Sequence, residues 1–435
     1  MRVIEIEGPV TQDQIRGALP RASVSVEKAL EIVLPLIEDV KTHSLSALLN
    51  QAERFDGVRP EFIRVPQSVI EQSVSQLSAE LRAAIETAIQ RVRKVSLAGV
   101  PKDFEVELAN GALVSQRYAP VDSVGLYVPG GKAVYPSSVV MNAVAAQSAG
   151  VPRIAIASPP QKEFGGMPHP TILATAALLG VTEVYAIGGA AAVAAFAFGV
   201  SEIELEPVRM VTGPGNVYVA AAKRALRGLI GIDSEAGPTE ILIIADESAN
   251  PKSIAADLIS QAEHDENAAA VLVTNSSNLI SAVEVELAKQ VAITKNSERV
   301  KASLGGMQSA LVLVPDLATA IAVSNEYATE HLEILTKDPK AVLSEITNAG
   351  AIFLGEFSPV SLGDYLAGSN HVLPTGEQAK FGPGLGVHTF LRPQQVINYS
   401  ESALAEVAGQ LDTFAIAEGL SAHGDAAKIR FTGGN

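Results

Sequence analysis

Residues 250–274, NPKSIAADLISQAEHDENAAAVLVT, join the pattern of an amphipathic helix to that of a buried strand. Asn250 followed by Pro251 indicates an N-cap with proline at the first helical position. Apolar residues then recur at helical spacing, at Ile254, Leu258 and Ala262. The run AAVLVT at the end is typical of a strand buried on both faces. The stretch therefore predicts a helix leading into a buried strand, with polar side chains at the junction.

Gln261 and His264 stand three residues apart at the end of this predicted helix. Side chains at that spacing are neighbours, so we expect the pair at the edge of the apolar stripe, where both can reach one ligand. Glu263, Asp265 and Glu266 crowd the same end, where the helix macrodipole disfavours negative charge by about 0.3–1 kcal/mol per group. We therefore expect a cation there. The alternative is a solvated acidic helix end with one hydrogen-bonded histidine.

Composition limits the classes of partner and of chemistry. The chain has 435 residues and a net charge of −16 without a basic patch, which argues against nucleic acid or an anionic membrane surface as a partner. Small-molecule ligands are favoured instead. No cysteine occurs, which excludes disulfides, thiolate zinc ligands and a thiol nucleophile. Any metal must therefore be bound by nitrogen and oxygen.

Length and hydrophobicity indicate the architecture and the compartment. A chain this long predicts two or more domains, and 47% hydrophobic with only 5% aromatic residues favours parallel strands buried on both faces. The longest apolar run, residues 185–200, is shorter than a bilayer span. The N-terminal residues MRVIEIEGPV lack the features of a signal peptide. We therefore expect a cytoplasmic protein that does not interact with a membrane.

Two successive series of strand, turn and helix patterns organise most of the chain. The first, residues 123–233, contains SVGLYVPGG, RIAIASPP, EVYAIGG and VRMVTGPGN. The second, residues 239–355, contains EILIIAD, AAVLVT, SALVLVP, HLEILT and AIFLG. Each series predicts a Rossmann-type unit with a parallel sheet, whose ligands lie beyond the carboxyl ends of the strands. A cleft between two such units commonly holds two substrates.

Several strands of the first series run into turns rich in glycine or proline. Backbone N–H groups at such turns bind phosphate when a helix follows, so a nucleotide ligand is one interpretation. The turn at 213–216, GPGN, is not the G-x-G-x-x-G fingerprint, however, and tight turns between strand and helix use glycine without any ligand. These turns are therefore consistent with a nucleotide site and with tight turns that bind no ligand.

The N-terminal part of the chain, residues 1–120, shows mixed patterns. It predicts a short first strand, helices over 27–41 and 79–95, and a hairpin turn at Asn110-Gly111. No group of side chains in this part indicates a chemical function.

A long irregular stretch, FSPVSLGDYLAGSNHVLPTGEQAKFGPGLGVHTF, follows the second series and carries Asp364 and His371. Loops of this length in a compact protein are usually functional. Helical spacing resumes from Gln394, and this tail carries Glu418 and His423. We expect the tail to pack on a partner subunit.

Glu330 and His331 are adjacent just ahead of the strand pattern HLEILT. In extended backbone, adjacent side chains point to opposite faces, so a shared role requires a turn at Glu330. A carboxylate and an imidazole that meet can divide acid–base work. The alternative is an exposed glutamate beside a packed histidine.

Several motifs together resemble the histidinol dehydrogenase family. They are Gln261-x-x-His264, Asp364 in SLGDY, His423 in AEGLSAH, the Glu330-His331 pair, and the turns GLYVPGG and GPGNVYV. The resemblance extends over most of the chain from about Val121 onward, with the same order and similar spacing. It implies an NAD-dependent enzyme that oxidises L-histidinol to L-histidine through L-histidinaldehyde, the final step of L-histidine biosynthesis, reducing two NAD per turnover.

The resemblance also implies roles for individual residues. The zinc ligands, for one ion per subunit, are Gln261, His264, Asp364 and His423. The acid–base pair is Glu330 and His331. The substrate contacts are Thr239, Gln261, His264, His331, Asp364, His371, Glu418 and His423. The cofactor positions are Tyr127, Asn216 and Ala191. In many members a glutamine that contacts NAD stands at the position of Ala191, so that contact changes here. Many members also have a serine at the position of Thr239, and threonine retains its hydroxyl.

The family's architecture is two incomplete Rossmann-like domains with parallel sheets, plus small N- and C-terminal helical extensions. The implied boundaries are 1–24 for an N-terminal extension, 25–122 with 238–385 for a first domain carrying the zinc and catalytic residues, 123–237 for an inserted NAD-binding domain, and 386–435 for a C-terminal helical tail. The family resemblance also implies a homodimer in which this tail crosses to the partner subunit, so that active sites are shared.

The lack of cysteine bears on this chemistry. Aldehyde oxidation usually proceeds through a covalent adduct on cysteine, so here water must add instead, and that addition needs a general base. Glu330 and His331 fit the roles of activating water and accepting the alcohol proton. Two alternatives are a zinc hydrolase with Glu330 as its base, which leaves the nucleotide-like turns unexplained, and a non-catalytic module that closes on a metal or nucleotide.

Overall fold

The computed structural model describes residues 1–8, 10–21, 26–130, 134–235 and 237–432. The strands are β1 (Arg2–Glu5), β2 (Phe104–Ala109), β3 (Ala112–Pro120), β4 (Ser123–Tyr127), β5 (Arg153–Ser158), β6 (Glu183–Ala186), β7 (Met210–Thr212), β8 (Gly231–Ile232), β9 (Glu240–Ala245), β10 (Ala269–Thr274), β11 (Ala310–Leu313), β12 (His331–Leu335), β13 (Ala351–Leu354) and β14 (Leu391–Tyr399). The helices are α1 (Gln12–Ala18), α2 (Val26–Phe55), α3 (Gln67–Ser73), α4 (Ala79–Ala98), α5 (Pro136–Ser148), α6 (Pro170–Leu178), α7 (Gly189–Phe198), α8 (Val217–Leu226), α9 (Pro251–Ala262), α10 (Ser277–Val291), α11 (Ser297–Gly305), α12 (Leu317–Tyr327), α13 (Pro339–Leu343), α14 (Val360–Tyr365), α15 (Glu401–Ala417) and α16 (Ser421–Lys428).

The second series of patterns forms a six-stranded parallel sheet in the order β1-β11-β10-β9-β12-β13. Its central strands β9 and β10 consist mainly of buried Val, Ile, Leu and Ala, because helices cover both faces. The predicted N-terminal strand joins this sheet as edge strand β1, beside β11.

The first series forms a separate five-stranded parallel sheet in the order β6-β5-β4-β7-β8. The strand order reverses between β4 and β7, which opens a crevice at the carboxyl ends of these two strands. The two parallel sheets confirm the predicted fold class of two Rossmann-like units. The helices predicted over 27–41 and 79–95 are also confirmed, within α2 and α4.

The helix predicted from residues 250–274 is α9, and it begins as expected. The side chain of Asn250 accepts a hydrogen bond from the N–H of Lys252 at 3.1 Å, and the apolar stripe is buried. The helix ends at Ala262, however, so His264 lies in the following turn and not on the helix. The Asp265 side chain accepts the N–H of Asn267 at 2.9 Å, a local bond that competes with helix continuation.

A cation does lie at the acidic end of α9. The guanidinium of Arg299 donates to the carbonyl oxygen of Glu263 at 3.0 Å. This bond satisfies one carbonyl that the helix end leaves without a partner and offsets the local negative charge.

The chain divides into two compact units, Met1–Gly99 with Asp122–Thr389, and Val100–Val121 with Phe390–Asn435. The second unit contains a three-stranded antiparallel sheet in the order β14-β3-β2, and helices α15 and α16. The hairpin predicted at Asn110-Gly111 joins β2 to β3 and is confirmed. The predicted domain boundaries stay a prediction.

The prediction of helical spacing from Gln394 is wrong for the start of the tail. That segment is β14, which pairs with β3 along its whole length. Pairing with a strand far away in the chain overrides a weak local pattern. The helical part begins only at Glu401. No helix within the described ranges is long and apolar enough to cross a membrane.

Candidate active site

A cavity of about 480 Å³ within the first unit collects most of the residues predicted to be functional. It is lined by Asn216 and nearby turn residues at the carboxyl edge of the five-stranded sheet, and by loops and the amino ends of strands β9, β10 and β12 of the larger sheet. The prediction that ligands lie beyond the carboxyl ends of the strands is therefore wrong for the larger sheet. The predicted residues that line it are Asn216, Thr239, His264, Glu330, His331, Asp364 and His371. Asn216 and His371, which are 155 positions apart in sequence, therefore line one cavity, as expected for a cleft between two Rossmann-type units.

Thr239, Gln261 and Glu330 form a directed hydrogen-bond chain at this cavity. The Nε2 amide of Gln261 donates to the Thr239 hydroxyl, and that hydroxyl donates to Oε2 of Glu330 at 2.5 Å. The same Oε2 accepts the backbone N–H of Glu240 at 2.9 Å. The threonine hydroxyl thus fixes both the carboxylate and the amide.

Glu330 and His331 meet although they are adjacent in the chain. Oε2 of Glu330 lies 3.4 Å from Nδ1 of His331, and both side chains are more than nine-tenths buried. The backbone bends at Glu330, after Ala328 in the left-handed region at φ 49°. A Cβ on Gly350 would lie 2.5 Å from the carbonyl oxygen of Glu330, so the neighbouring strand can approach only with glycine there. The turn that a shared role requires is therefore present.

The two groups adjust each other's proton affinity. Burial by itself raises the pKa of Glu330, but the adjacent His331 and the hydrogen bonds to the carboxylate hold that pKa below its usual range. Burial by itself lowers the pKa of His331, but the Glu330 carboxylate raises it, to about 9. The imidazole is therefore a stronger proton acceptor than a free histidine.

The orientation of the His331 ring leaves one nitrogen facing the cavity. Nδ1 donates to the carbonyl oxygen of Glu240 at 3.1 Å. Nε2 is buried without a hydrogen-bond partner and lies 3.8 Å from Oδ1 of Asp364. An unpartnered buried nitrogen in a cavity is available to a ligand.

Asp364 and His371 are held together beside the His331 ring. The Nδ1–H of His371 donates to the backbone carbonyl of Asp364 at 2.9 Å, and its Nε2 lies 3.2 Å from the hydroxyl of Ser138. Burial lowers the pKa of His371, which favours its neutral form. Ser138, in the first turn of α5, is a site residue that the sequence reasoning missed, because a serine after a proline there also reads as an ordinary helix start.

Three of the four predicted zinc ligands belong to the first unit. Gln261 is 1% exposed, and its Oε1 is buried without a hydrogen-bond donor, as a metal-binding amide oxygen would be. His264 and Asp364 line the same cavity. Within the part of the chain that the structure describes, no group of three or more histidine, aspartate and glutamate side chains is spaced to hold a metal ion. A site with all four predicted zinc ligands therefore requires the amide oxygen of Gln261 and the side chain of His423 in addition to His264 and Asp364.

Glu418 and His423 belong to the second unit. Glu418 follows α15, His423 lies on α16, and both are exposed. Their predicted contacts with substrate and metal therefore stay predictions.

The predicted cofactor positions lie in or near the carboxyl end of the smaller sheet. The Tyr127 hydroxyl accepts the N–H of Gly189 at 3.1 Å, and burial raises its pKa to about 12. Asn216 caps α8 by accepting the N–H groups of Tyr218 and Val219. Ala191 is buried in the apolar core of α7.

The glycine turn at 213–216 is braced by the protein itself. The N–H of Gly213 donates to Asp233 at 2.8 Å, and a Cβ on Gly213 would lie 2.0 Å from the carbonyl oxygen of Tyr127. This N–H is already bonded, and glycine is needed at this position because the backbone of Tyr127 leaves no room for a side chain. The interpretation of this turn as a bare phosphate cradle is not favoured.

Two further acidic groups behind the site were missed from sequence. Glu333 is two residues after His331 on β12, and Asp257 is one turn before Gln261 on α9. Burial raises the pKa of both carboxyl groups, and the charge of Asp257 raises that of Glu333 further, which favours retention of a proton by the pair. A glutamate inside HLEILT is the only sequence signal, since charged residues are rare in buried strands.

Comparison with known proteins places this site in a family. The family model described as histidinol dehydrogenase matches residues 19–431. The chain is 57% identical to histidinol dehydrogenase of Leifsonia xyli over 99% of both chains, and 57% identical to that of Thermobifida fusca over 95% of this chain and 94% of the relative. The crystal structure of histidinol dehydrogenase from Elizabethkingia anophelis superposes with a TM-score of 0.93 at 32% identity, over 99% of this chain and 98% of that one.

Proposed function

This chain belongs to the histidinol dehydrogenase family, and from that premise we propose which of its residues perform the family's reaction. Members are NAD-dependent oxidoreductases, with zinc as a family feature, that catalyse the final step of L-histidine biosynthesis. The reaction is the four-electron oxidation of L-histidinol to L-histidine through L-histidinaldehyde. Family membership removes the alternatives of a zinc hydrolase and of a non-catalytic binding module.

The proposed zinc ligands are Gln261, His264 and Asp364, with His423 as the fourth. The unpartnered buried Oε1 of Gln261 is the observation that carries this proposal, because its Nε2 is committed to Thr239 and the oxygen needs a cation or a donor. Two nitrogens and two oxygens suit zinc in a protein without cysteine. When bound, zinc would polarise the substrate hydroxyl or carbonyl oxygen.

Proton transfer is assigned to His331 and Glu330. His331 accepts the hydroxyl proton at Nε2, since Nδ1–H is held by Glu240 and the Glu330 carboxylate stabilises the resulting imidazolium. Both fixed bonds to Glu330 reach Oε2, which leaves Oε1 to activate the water that adds to the aldehyde. Thr239, His371 and the ligand side chains would orient the substrate.

The second substrate, NAD, is proposed to bind beside the smaller parallel sheet, with Tyr127 and Asn216 as contacts. Support comes from the reversal of strand order between β4 and β7, the usual place for such ligands. Ala191 offers only a methyl group, so we propose that no side-chain hydrogen bond forms from that position.

We propose that the protein is a homodimer with shared active sites and that the second unit forms the interface between subunits. Support comes from large apolar side chains exposed on it, among them Leu108, Ile397, Phe414 and Ile416, each more than three-fifths exposed. Apolar surface of this kind marks an interface. In the proposed dimer Glu418 and His423 complete the partner's site. We also propose a cytoplasmic location, which fractionation of cells would test.

The metal assignment is tested by His264→Ala. We expect zinc content after dialysis, measured by atomic absorption, to fall from about one ion per subunit to a small fraction, with little change in circular dichroism, because both sheets stay intact. His43→Ala is the matched control, since the exposed His43 side chain pairs with Asp39 and is not among those that line the cavity. Wild-type zinc content in the His264 variant would contradict the ligand set.

A further inference from the structure

Asp56 carries a half-buried carboxylate without a partner. It directly follows α2, and its N–H donates to Ala52 at 2.8 Å. Among the residues that the structure describes, no donor or cation pairs with its side chain, and burial alone raises its pKa to about 6. A carboxylate in such surroundings destabilises the fold at neutral pH, so its presence points to a ligand that it binds.

The carboxylate lies at the carboxyl edge of the smaller parallel sheet. A Cβ on Gly188, the residue before α7, would be 3.0 and 3.1 Å from the two Asp56 oxygens and 3.3 Å from Pro159. Gly189 has a φ of 57°, and nothing lies within 4 Å of where its Cβ would be. Asp56 therefore stands beside Pro159, which follows β5, and beside open space at the start of α7.

Other polar groups at this edge also lack partners. The Ser158 hydroxyl, on a fully buried residue, and the buried Nε2 of Gln161 have none. Both lie within 3.4 Å of where a Cβ on Gly130 would be. The Tyr127 hydroxyl accepts the N–H of Gly189, so its own proton is free to donate. Unsatisfied donors beside an unpaired carboxylate suit a ligand rich in hydroxyl groups.

The sheet topology indicates which ligand group arrives there. In dinucleotide-binding sheets, an acid after the second strand of the unit accepts hydrogen bonds from the adenosine ribose. The second strand here is β5, next to β4, and it ends in Ser158-Pro159-Pro160 with no acid. Asp56 follows α2, outside the sheet, and both its carboxylate and Pro159 lie within 3.3 Å of where a Cβ on Gly188 would be.

We propose that Asp56 binds the 2′- and 3′-hydroxyls of the adenosine ribose of NAD and thereby selects NAD over NADP. A carboxylate accepts both hydroxyl protons of the diol, and its charge repels the 2′-phosphate of NADP. This inference rests on the proposed function in one respect, which is that NAD binds beside the smaller sheet.

The test is direct binding, without turnover, of NAD and of NADP to the intact protein by isothermal titration calorimetry. The variants are Asp56→Asn and Asp56→Glu. Glu53→Gln is the matched control, since it removes one charge from the same helix where Glu53 is exposed and pairs with Arg59. The melting temperature of each variant is measured alongside.

For Asp56→Asn we expect NAD to bind about 10- to 100-fold more weakly, as for loss of a charge-assisted hydrogen bond. NADP should bind no more weakly than to wild type, so the preference for NAD falls by at least about tenfold. Asp56→Glu should weaken NAD and still reject NADP, and Glu53→Gln should change neither. The melting temperature of Asp56→Asn should not fall, because an unpaired charge is removed.

Three outcomes would overturn the assignment. An unchanged ratio of NAD to NADP affinity in Asp56→Asn, with wild type binding NAD, would reject Asp56 while leaving the proposed function intact. A melting temperature lowered by Asp56→Asn would show that the carboxylate has a structural partner. Wild-type protein that binds neither nucleotide would overturn the proposed function together with this inference.

Discussion

Glu330 and His331 are held by the same small hydrogen-bond network. Oε2 of Glu330 is held by the Thr239 hydroxyl and by the backbone of Glu240, and the carbonyl of Glu240 holds Nδ1 of His331. The start of strand β9 therefore orients both groups. The carboxylate keeps one oxygen and the imidazole one nitrogen for the cavity, which allows water activation and hydroxyl deprotonation to be separate tasks.

This division of labour predicts unequal effects in the two half-reactions. Glu330→Gln keeps the shape of the side chain and removes the base, so we expect aldehyde oxidation to slow about 10²–10⁴-fold, about 3–5 kcal/mol of barrier. The first hydride transfer should slow less. His331→Asn should slow both. Single-turnover measurements from histidinol and from histidinaldehyde separate the steps, with Glu326→Gln as a control whose carboxylate bonds Lys380 outside the cavity. Equal losses in both steps for Glu330→Gln would refute the division.

The buried carboxyl pair of Glu333 and Asp257 predicts a dependence of stability on pH. Burial raises the pKa of Asp257 to about 6 and raises that of Glu333 further above its ordinary value. The folded protein thus holds a proton that the unfolded chain releases at lower pH, so this contribution is lost as pH rises through about 6 and above. Urea midpoints at about pH 5 and about pH 8 should differ less in Glu333→Gln than in wild type. An unchanged difference would contradict a shared proton.

At the scale of elements, the ends of helices and strands decide where functional groups lie. Because α9 stops at Ala262, Gln261 stays buried while His264 turns outward into the cavity. On the smaller sheet, the turn between β7 and α8 depends on a buried ion pair. Lys223 bonds the carbonyl oxygens of Gly213 and Ser234 and the carboxylate of Asp233.

That ion pair predicts a large loss of stability when one partner is removed. Lys223 and Asp233 expose 2% and 4% of their side chains, so Lys223→Met leaves Asp233 charged, buried and unpaired. We expect a loss of about 3–5 kcal/mol in the free energy of unfolding, from denaturant midpoints. Lys289→Met is the control, because Lys289 pairs with Glu286 at the surface, and such pairs contribute about 0–1 kcal/mol. Similar losses in the two variants would argue against a bracing role.

At the scale of the whole molecule, the second unit has too few buried side chains to cover its own apolar residues. Only Ala403 and Ala415 of α15 are buried, whereas Phe414 and Ile416 are 73% and 62% exposed. A partner subunit that covers this surface would also receive Glu418 and His423, which lie close by in sequence.

Mixed dimers test whether the tail completes the partner's site. A subunit carrying Glu330→Gln and His331→Ala is mixed with a subunit carrying His423→Ala. If tails cross, each heterodimer has one intact site, and random mixing restores about a quarter of wild-type activity. As the control, wild type mixed with a subunit carrying all three changes should form inactive heterodimers. No recovered activity in the first mixture, with heterodimers verified by mass spectrometry, would refute the crossing.

Local chemistry determined the parts of the fold that could be predicted from sequence. Runs such as RIAIAS in the first series and AAVLVT in the second predict strands buried in a parallel sheet, so one parallel sheet is expected from each series. Asn250 before Pro251 sets the start of α9, and Asn110-Gly111 sets a hairpin, because these depend on neighbouring residues alone.

Only the tertiary structure decided which distant groups meet. Thr239 and Glu330 are 91 residues apart yet share a hydrogen bond, and residues 394–399 become a strand because β3 offers them a partner. The position of Asp56 beside Pro159 likewise has no local signal. Such contacts depend on how helices and sheets pack over long separations, whereas a sequence pattern reports the preferences of a few neighbouring residues.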